Sequence, residues 1–106
     1  MYKIEKNIVM EDNIYECEAK RPFIRDGVKV RDWRITHVAD VIADKLDEYR
    51  CKDCHGKIKL LGKHVKHGPA PHAVHMSKQD SEYCPSGFYF RQHPGRTPRL
   101  SENPVR

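Results

Sequence analysis

The rhythm of apolar and polar positions changes along the chain, and each change predicts an element. Tyr15-Glu16-Cys17-Glu18-Ala19 alternates with the period of two that marks a half-buried strand. Asp26-Gly27 has hairpin-turn chemistry and leads into Val28-Lys29-Val30, so the first predicted unit is a β-hairpin. From Thr36 to Tyr49 the period lengthens. Val38, Val41, Ile42, Leu46 and Tyr49 recur at helical spacing while Asp40, Asp44, Asp47 and Glu48 fall on other faces, which predicts a helix capped by Thr36. Its apolar stripe is expected to pack on the hairpin, with Trp33 as a core anchor. Alternation resumes at Lys57-Ile58-Lys59-Leu60-Leu61. A turn at Gly62-Lys63 and a return strand over His64-Val65-Lys66-His67 complete a second hairpin, and Gly68-Pro69-Ala70-Pro71 breaks the pairing. Phe88-Tyr89-Phe90 predicts a last short strand. Residues 91–106, with three Pro and four Arg, predict an extended basic tail.

The chemistry is concentrated between Cys51 and Cys84. Two thiols in Cys51-Lys52-Asp53-Cys54 can grip one metal ion from a tight turn, and a distant His and Cys can close a tetrahedron. In such a knuckle backbone N–H groups point at the sulfurs, which calls for a residue free to take positive φ after the second thiol; Gly56 stands there. Cys84 is followed by Pro85 and Gly87, one fixing φ and the other permissive. Cys51, Cys54, His75 and Cys84 are the expected ligands of a structural Zn²⁺, with His72 as the rival for the third place. Cys17, on the apolar side of its strand, reads as a small core residue.

The order Cys51-x2-Cys54-x-Gly56, a basic hairpin, Pro71-His72-x-x-His75 and then Cys84 resembles the zinc-ribbon-like N-terminal module of the competence protein CoiA family. Asp26-Gly27 followed by Val28 and Val30 is similar to the start of that module. The resemblance spans Tyr15 to Cys84, with Ala73 where the family favours Phe. It implies the metal module and not the nuclease-like domain into which that family continues, because the sequence stops 22 residues after Cys84. The expected fold is α+β, small zinc-ribbon-like β-hairpins with one helix, as a single domain over residues 1–90 and a tail over 91–106.

Composition sharpens this reading. A chain of 106 residues with 38% hydrophobic residues has little with which to fill a core, and a bound ion would supply folding free energy that the core lacks. The charged segment Met1 to Asn13 has no apolar stretch of a signal peptide, and no segment reaches the length of a membrane span. A cytoplasmic location follows, where four cysteines argue for metal rather than disulfides. Charge is divided unevenly: residues 1–50 hold 10 Lys/Arg against 11 Asp/Glu, and residues 51–106 hold 10 against 4. A basic metal-binding half attracts nucleic acid. Lys57, Lys59, Lys63, Lys66, Arg91, Arg96 and Arg99 are the expected phosphate contacts, and Phe88 and Tyr89 the platforms for unpaired bases.

Other chemistries compete with this one. Cys51-Lys52-Asp53-Cys54-His55 satisfies the attachment pattern of c-type haem, with Met76 as an opposite ligand, but haem leaves His72, His75 and Cys84 unexplained. A metal-dependent nuclease of the HNH kind would draw its base from His64, His67, His72 or His93, and would need a helix after His75 bearing a second His or Asn; no such helix is expected. A protein-interaction module, docking through a strand edge or the Pro-rich tail, is the alternative to nucleic-acid binding.

Overall fold

At the Asp26-Gly27 turn both residues take positive φ, 52° and 77°, as a two-residue turn matched to the twist of its strands requires. The computed structural model describes residues 12–62, 70–93 and 95–106. The turn joins β1 (Glu16–Arg25) to β2 (Val28–His37) in antiparallel register from Glu16 opposite His37 to Arg25 opposite Val28. Alternation does what the sequence implied at the base of this hairpin, where Cys17 and Ala19 turn inward and are buried.

The predicted helix is much shorter than its periodicity. Thr36 belongs to β2, and its hydroxyl donates to the Arg34 carbonyl instead of capping a helix. The helix is α1 (Val38–Ala43), which buries Val38 and Val41. Lys45 ends it with φ 54°, and the Lys45 and Leu46 N–H groups donate back to the carbonyls of Ile42 and Val41, a left-handed termination usually made by Gly. Tyr49–Arg50 then forms β3, which pairs with Glu18 and Ala19 of β1 and completes a sheet of order β2-β1-β3. Periodic spacing over Thr36–Tyr49 was thus shared among the end of a strand, a short helix, a turn and another strand.

The second sheet pairs β4 (Ile58–Leu61) with β5 (His72–His75), Ile58 lying opposite His75. The return strand expected over His64–His67 lies outside the described residues, as do Lys63 and Lys66. The two histidines therefore sit in a buried strand and not in a loop. Ile14 joins β5 by exchanging backbone hydrogen bonds with Ala73, 3.0 and 2.7 Å. Two further helices follow: α2 (Lys78–Tyr83), capped by the Ser77 hydroxyl, and α3 (Phe88–Arg91). The latter replaces the strand expected at Phe88–Phe90. Its first N–H groups, on Phe88 and Tyr89, are taken by the side chains of Asp12 and Ser81, which fixes a helical start. The architecture is α+β, with Ile14, Cys17, Ala19, Val38, Val41, Ile58 and Ala73 clustered around Cys51, Cys54 and Cys84.

Trp33 is not a core anchor. It lies half-buried on the sheet, with the Arg50 guanidinium 4.0 Å and the Lys20 ammonium 5.2 Å from its ring centre. The segment after α3 is extended but docked: the N–H groups of Arg99, Ser101 and Val105 donate to the carbonyls of Tyr83, Cys54 and His55. Gly87 is needed for room, since a β-carbon there would run into the Ser81 backbone of α2. Gly87→Ala should therefore destabilise the protein by about 1–3 kcal/mol through overpacking. Gly62→Ala, whose added carbon meets nothing within 4 Å, should change stability far less, as urea denaturation will show.

Candidate metal centre

The Cys51–Cys54 knuckle begins as a tight turn after β3. The His55 N–H donates to the Cys51 carbonyl at 2.9 Å, and the Cys51 N–H to the Gly56 carbonyl at 3.0 Å. This geometry aims the Asp53 N–H at the Cys51 sulfur and the Gly56 N–H at the Cys54 sulfur, each at 3.4 Å, as suits anionic sulfur. The residue of positive φ is His55, at 65°, and not Gly56. Gly56 is required for a different reason: a β-carbon there would collide with the Asp80 carboxylate and come within 3.2 Å of Ser101 Cβ.

β5 and the end of α2 supply the other half. His75 is the last residue of β5 and Cys84 the first after α2. One ligand atom from each of Cys51, Cys54, His75 and Cys84 lies within 4.8 Å of every other, and all four residues are buried. The Cys51 and Cys84 sulfurs are 3.6 Å apart. Tetrahedral zinc with Zn–S bonds of about 2.3 Å sets sulfurs about 3.8 Å apart, so the spacing suits sulfurs sharing an ion. All four cysteines are free thiols, and Cys17, fully buried, stands outside the cluster.

The imidazole of His75 provides the test of fit. Its Nδ1 is 2.8 Å from Asp12 Oδ2, whereas its Nε2 is buried with no hydrogen-bond partner among the described residues. A buried polar atom without a partner is costly, and here it belongs to the residue grouped with the three thiols. An ion among them would satisfy it, with Asp12 fixing the proton on Nδ1 and leaving the Nε2 lone pair free. This is the carboxylate–histidine arrangement that orients metal ligands.

Asp12 itself is a hub. Its Oδ2 accepts from the His75 N–H and ring, and its Oδ1 from the Ser81 hydroxyl and the Phe88 N–H, at 2.6–2.9 Å. Burial pushes its carboxyl up, but His75 and these other donors together hold it below the ordinary range. Burial likewise opposes a charge on His75, yet Asp12 and the neighbouring sulfurs hold its imidazolium up to about 11. Among the thiols the protons are unequally shared. Hydrogen bonds from Cys54 and Cys84 drive Cys51 far down, and the same contacts with Cys51 and Cys54 drive Cys84 far up. An arriving cation would displace those protons.

His72 is not part of this group. Its Nδ1 lies 2.8 Å from the Ala70 carbonyl and its ring centre 6.0 Å from that of Tyr15. Residues three apart on a strand point to opposite faces, so β5 can send only one of the two histidines to the sulfurs. Asp12 was missed by sequence reasoning because nothing in its local pattern distinguishes it from the charges before it. His55, the haem candidate, faces Glu18 at 3.7 Å and lies outside the cluster, and Met76 is exposed. The helix that follows His75, α2, reads Lys-Gln-Asp-Ser-Glu-Tyr and carries neither the His nor the Asn that an HNH-type site would need there.

The expected nucleic-acid contacts are dispersed. Lys57, Lys59 and Arg91 are exposed, while Phe88 and Tyr89 are half-buried in α3. Arg99 and Arg96 lie 3.8 and 4.9 Å from the Tyr83 ring centre. A protein-family model matches residues 7–106, and the chain belongs to that family. No curated protein and no solved structure matches it.

His75→Ala should abolish stoichiometric metal binding, whereas His72→Ala should retain it, as metal analysis of the purified variants will show. Asp12→Asn keeps the shape but weakens the hold on Nδ1, and should lower metal affinity about 10- to 100-fold in a competition titration with a chelating dye. Cys17, its thiol pushed by burial up to about 11, should resist alkylation in the folded protein at neutral pH.

Proposed function

We propose that this is a small zinc-binding protein whose ion is structural and whose basic surface binds nucleic acid. The observation that carries the first half is the closed donor set: three thiols and an imidazole on four buried residues, one donor atom of each within 4.8 Å of every other, with the His75 Nε2 buried and without a hydrogen-bond partner among the described residues. Three sulfurs and one imidazole suit zinc among the available divalent ions. Four protein donors leave no position for a reacting water, so the ion would hold elements together and not perform hydrolysis. The resemblance of Cys51-x2-Cys54, Pro71-His72-x-x-His75 and Cys84 to the zinc-ribbon-like module of the CoiA family supports the same reading.

What supports nucleic-acid binding is charge. The chain carries 20 Lys/Arg against 15 Asp/Glu, and Lys57 and Lys59 stand exposed on and beside β4. A polyanion is the natural partner of such a surface, through release of its counterions. The Pro-rich tail, the docking element of the protein-interaction alternative, is engaged on the chain's own knuckle through Ser101 and Val105. No helix among the described residues is long and apolar enough to cross a membrane, and we place the protein in the cytoplasm on the strength of its free thiols.

One zinc per chain is the expected stoichiometry, and a strong chelator should unfold the protein; a folded, zinc-free preparation overturns the metal reading. Oligonucleotide affinity should fall as salt rises, with a log–log slope of about 0.7–0.9 per phosphate contact. Absence of binding even at low ionic strength would leave the protein-interaction alternative in front.

A further inference from the structure

The outer part of the β1–β2 hairpin is unsupported. β3 pairs only with Glu18 and Ala19, and from Lys20–Trp33 to the turn no residue is buried. Ile24 and Val28 are 66% and 60% exposed. An isolated two-stranded ribbon is marginal in water, so a long bare one calls for a partner.

Residues 20–34 include six Lys/Arg against Asp26 and Asp32, formally +4. The register places Arg21, Arg25 and Arg34 on one face, and Lys20, Lys29 and Arg31 on the other. Contacts agree with this division: Arg34 and Arg25 both lie over Phe23, at 4.1 and 5.1 Å, whereas Lys20 lies over Trp33. The base of the ribbon is neutralised, Arg21 by Asp44 at 2.8 Å, Arg31 by Glu48 at 3.0 Å and Lys20 by Glu48 at 3.6 Å. Further out, Arg25 reaches only Asp32 at 3.9 Å. Lys29 and Arg34 pair with no carboxylate among the described residues, and they stand on opposite faces.

Cations on both faces decide the kind of partner. A membrane or a flat acidic surface would engage one face and leave the other charged and unused. A ribbon cationic on two sides fits between two rows of anions. Stacked sheets lie about 10 Å apart face to face, and the major groove of B-form DNA, about 12 Å wide and 8.5 Å deep, admits a two-stranded β-ribbon. The minor groove, about 6 Å wide, is too narrow, and the deep, narrow major groove of duplex RNA does not admit protein elements.

We propose that the β1–β2 hairpin enters the major groove of duplex DNA edge-on, with Arg25 and Arg34 facing one phosphate backbone and Lys29 the other. This inference rests on the nucleic-acid reading above, but moves the principal contact from Lys57 and Lys59 to the hairpin and makes the partner a duplex. Contacts to phosphate position a protein without reading sequence, so little base preference is expected.

Anisotropy titrations of the zinc-loaded protein at low salt test it, using a fluorescent 20-bp DNA duplex, its single strand and the matching RNA duplex. The DNA duplex should bind most tightly. Lys29→Gln with Arg34→Gln should weaken it about tenfold and make the log–log salt slope shallower by about 1.8, two contacts' worth. Lys29→Glu, at an exposed position with no ion pair among the described residues to lose, should weaken duplex binding while leaving thermal stability unchanged. Lys57→Gln with Lys59→Gln should have the smaller effect. If that pair carries the loss instead, or if the single strand or duplex RNA binds as well as duplex DNA, the hairpin inference is overturned and the nucleic-acid reading stands. Wild-type protein that binds none of the three overturns both.

Discussion

Three thiols, an imidazole and a carboxylate share the interior of this small protein, and every other feature of the fold answers to the cost of keeping them there. Among the described residues the largest fully buried side chains are His75, Val38 and Val41, followed by cysteines. Where a larger domain would place Leu or Phe, this one places groups that must be hydrogen-bonded or coordinated. Asp12 meets that demand completely, with both carboxylate oxygens accepting from surrounding donors. His75 meets it on one side only, and its bare Nε2 belongs to the residue grouped with the sulfurs. The apolar residues around the cluster are small, so the polar centre is the core.

That centre explains otherwise unrelated details. α3 begins where it does because Asp12 and Ser81 take its first N–H groups. Gly56 and Gly87 are glycines because Asp80 and the α2 backbone occupy the space that a side chain would fill. His55 bears a left-handed conformation, at a cost of about 1–2 kcal/mol, because the knuckle must turn to point N–H groups at Cys51 and Cys54. Each is a local concession to a centre made from distant parts of the chain.

Much of the site was legible because its chemistry is local. Cys51-x2-Cys54 announces a knuckle on its own, and the alternation around Cys17 and Ala19 correctly turned them inward. Asp26-Gly27 specified its turn through the conformations its residues tolerate. The helix at Thr36–Tyr49 misled because helical spacing says nothing about where pairing ends: β1 holds Thr36 and His37 in β2 and recruits Tyr49 and Arg50 as β3. Phe88–Phe90 has strand composition but no strand to pair with among the described residues, and its first N–H groups are taken by Asp12 and Ser81. The choice between His72 and His75 turned on whether they occupied a strand, and β5 is set by its pairing with β4 rather than by its own local pattern. Asp12 could not have been found locally, since its role is defined entirely by residues 63 to 76 positions away.

The docked segment after α3 has a consequence for how the centre is assembled. The knuckle carbonyls of Cys54 and His55 receive the N–H groups of Ser101 and Val105, so the first half of the metal site is finished by residues far along the chain. Synthesis runs from the N-terminus, and Cys51 and Cys54 emerge before the segment that covers them. The growing chain therefore passes through an interval with its thiols exposed, and closure over the centre waits for a stretch made well after the knuckle itself.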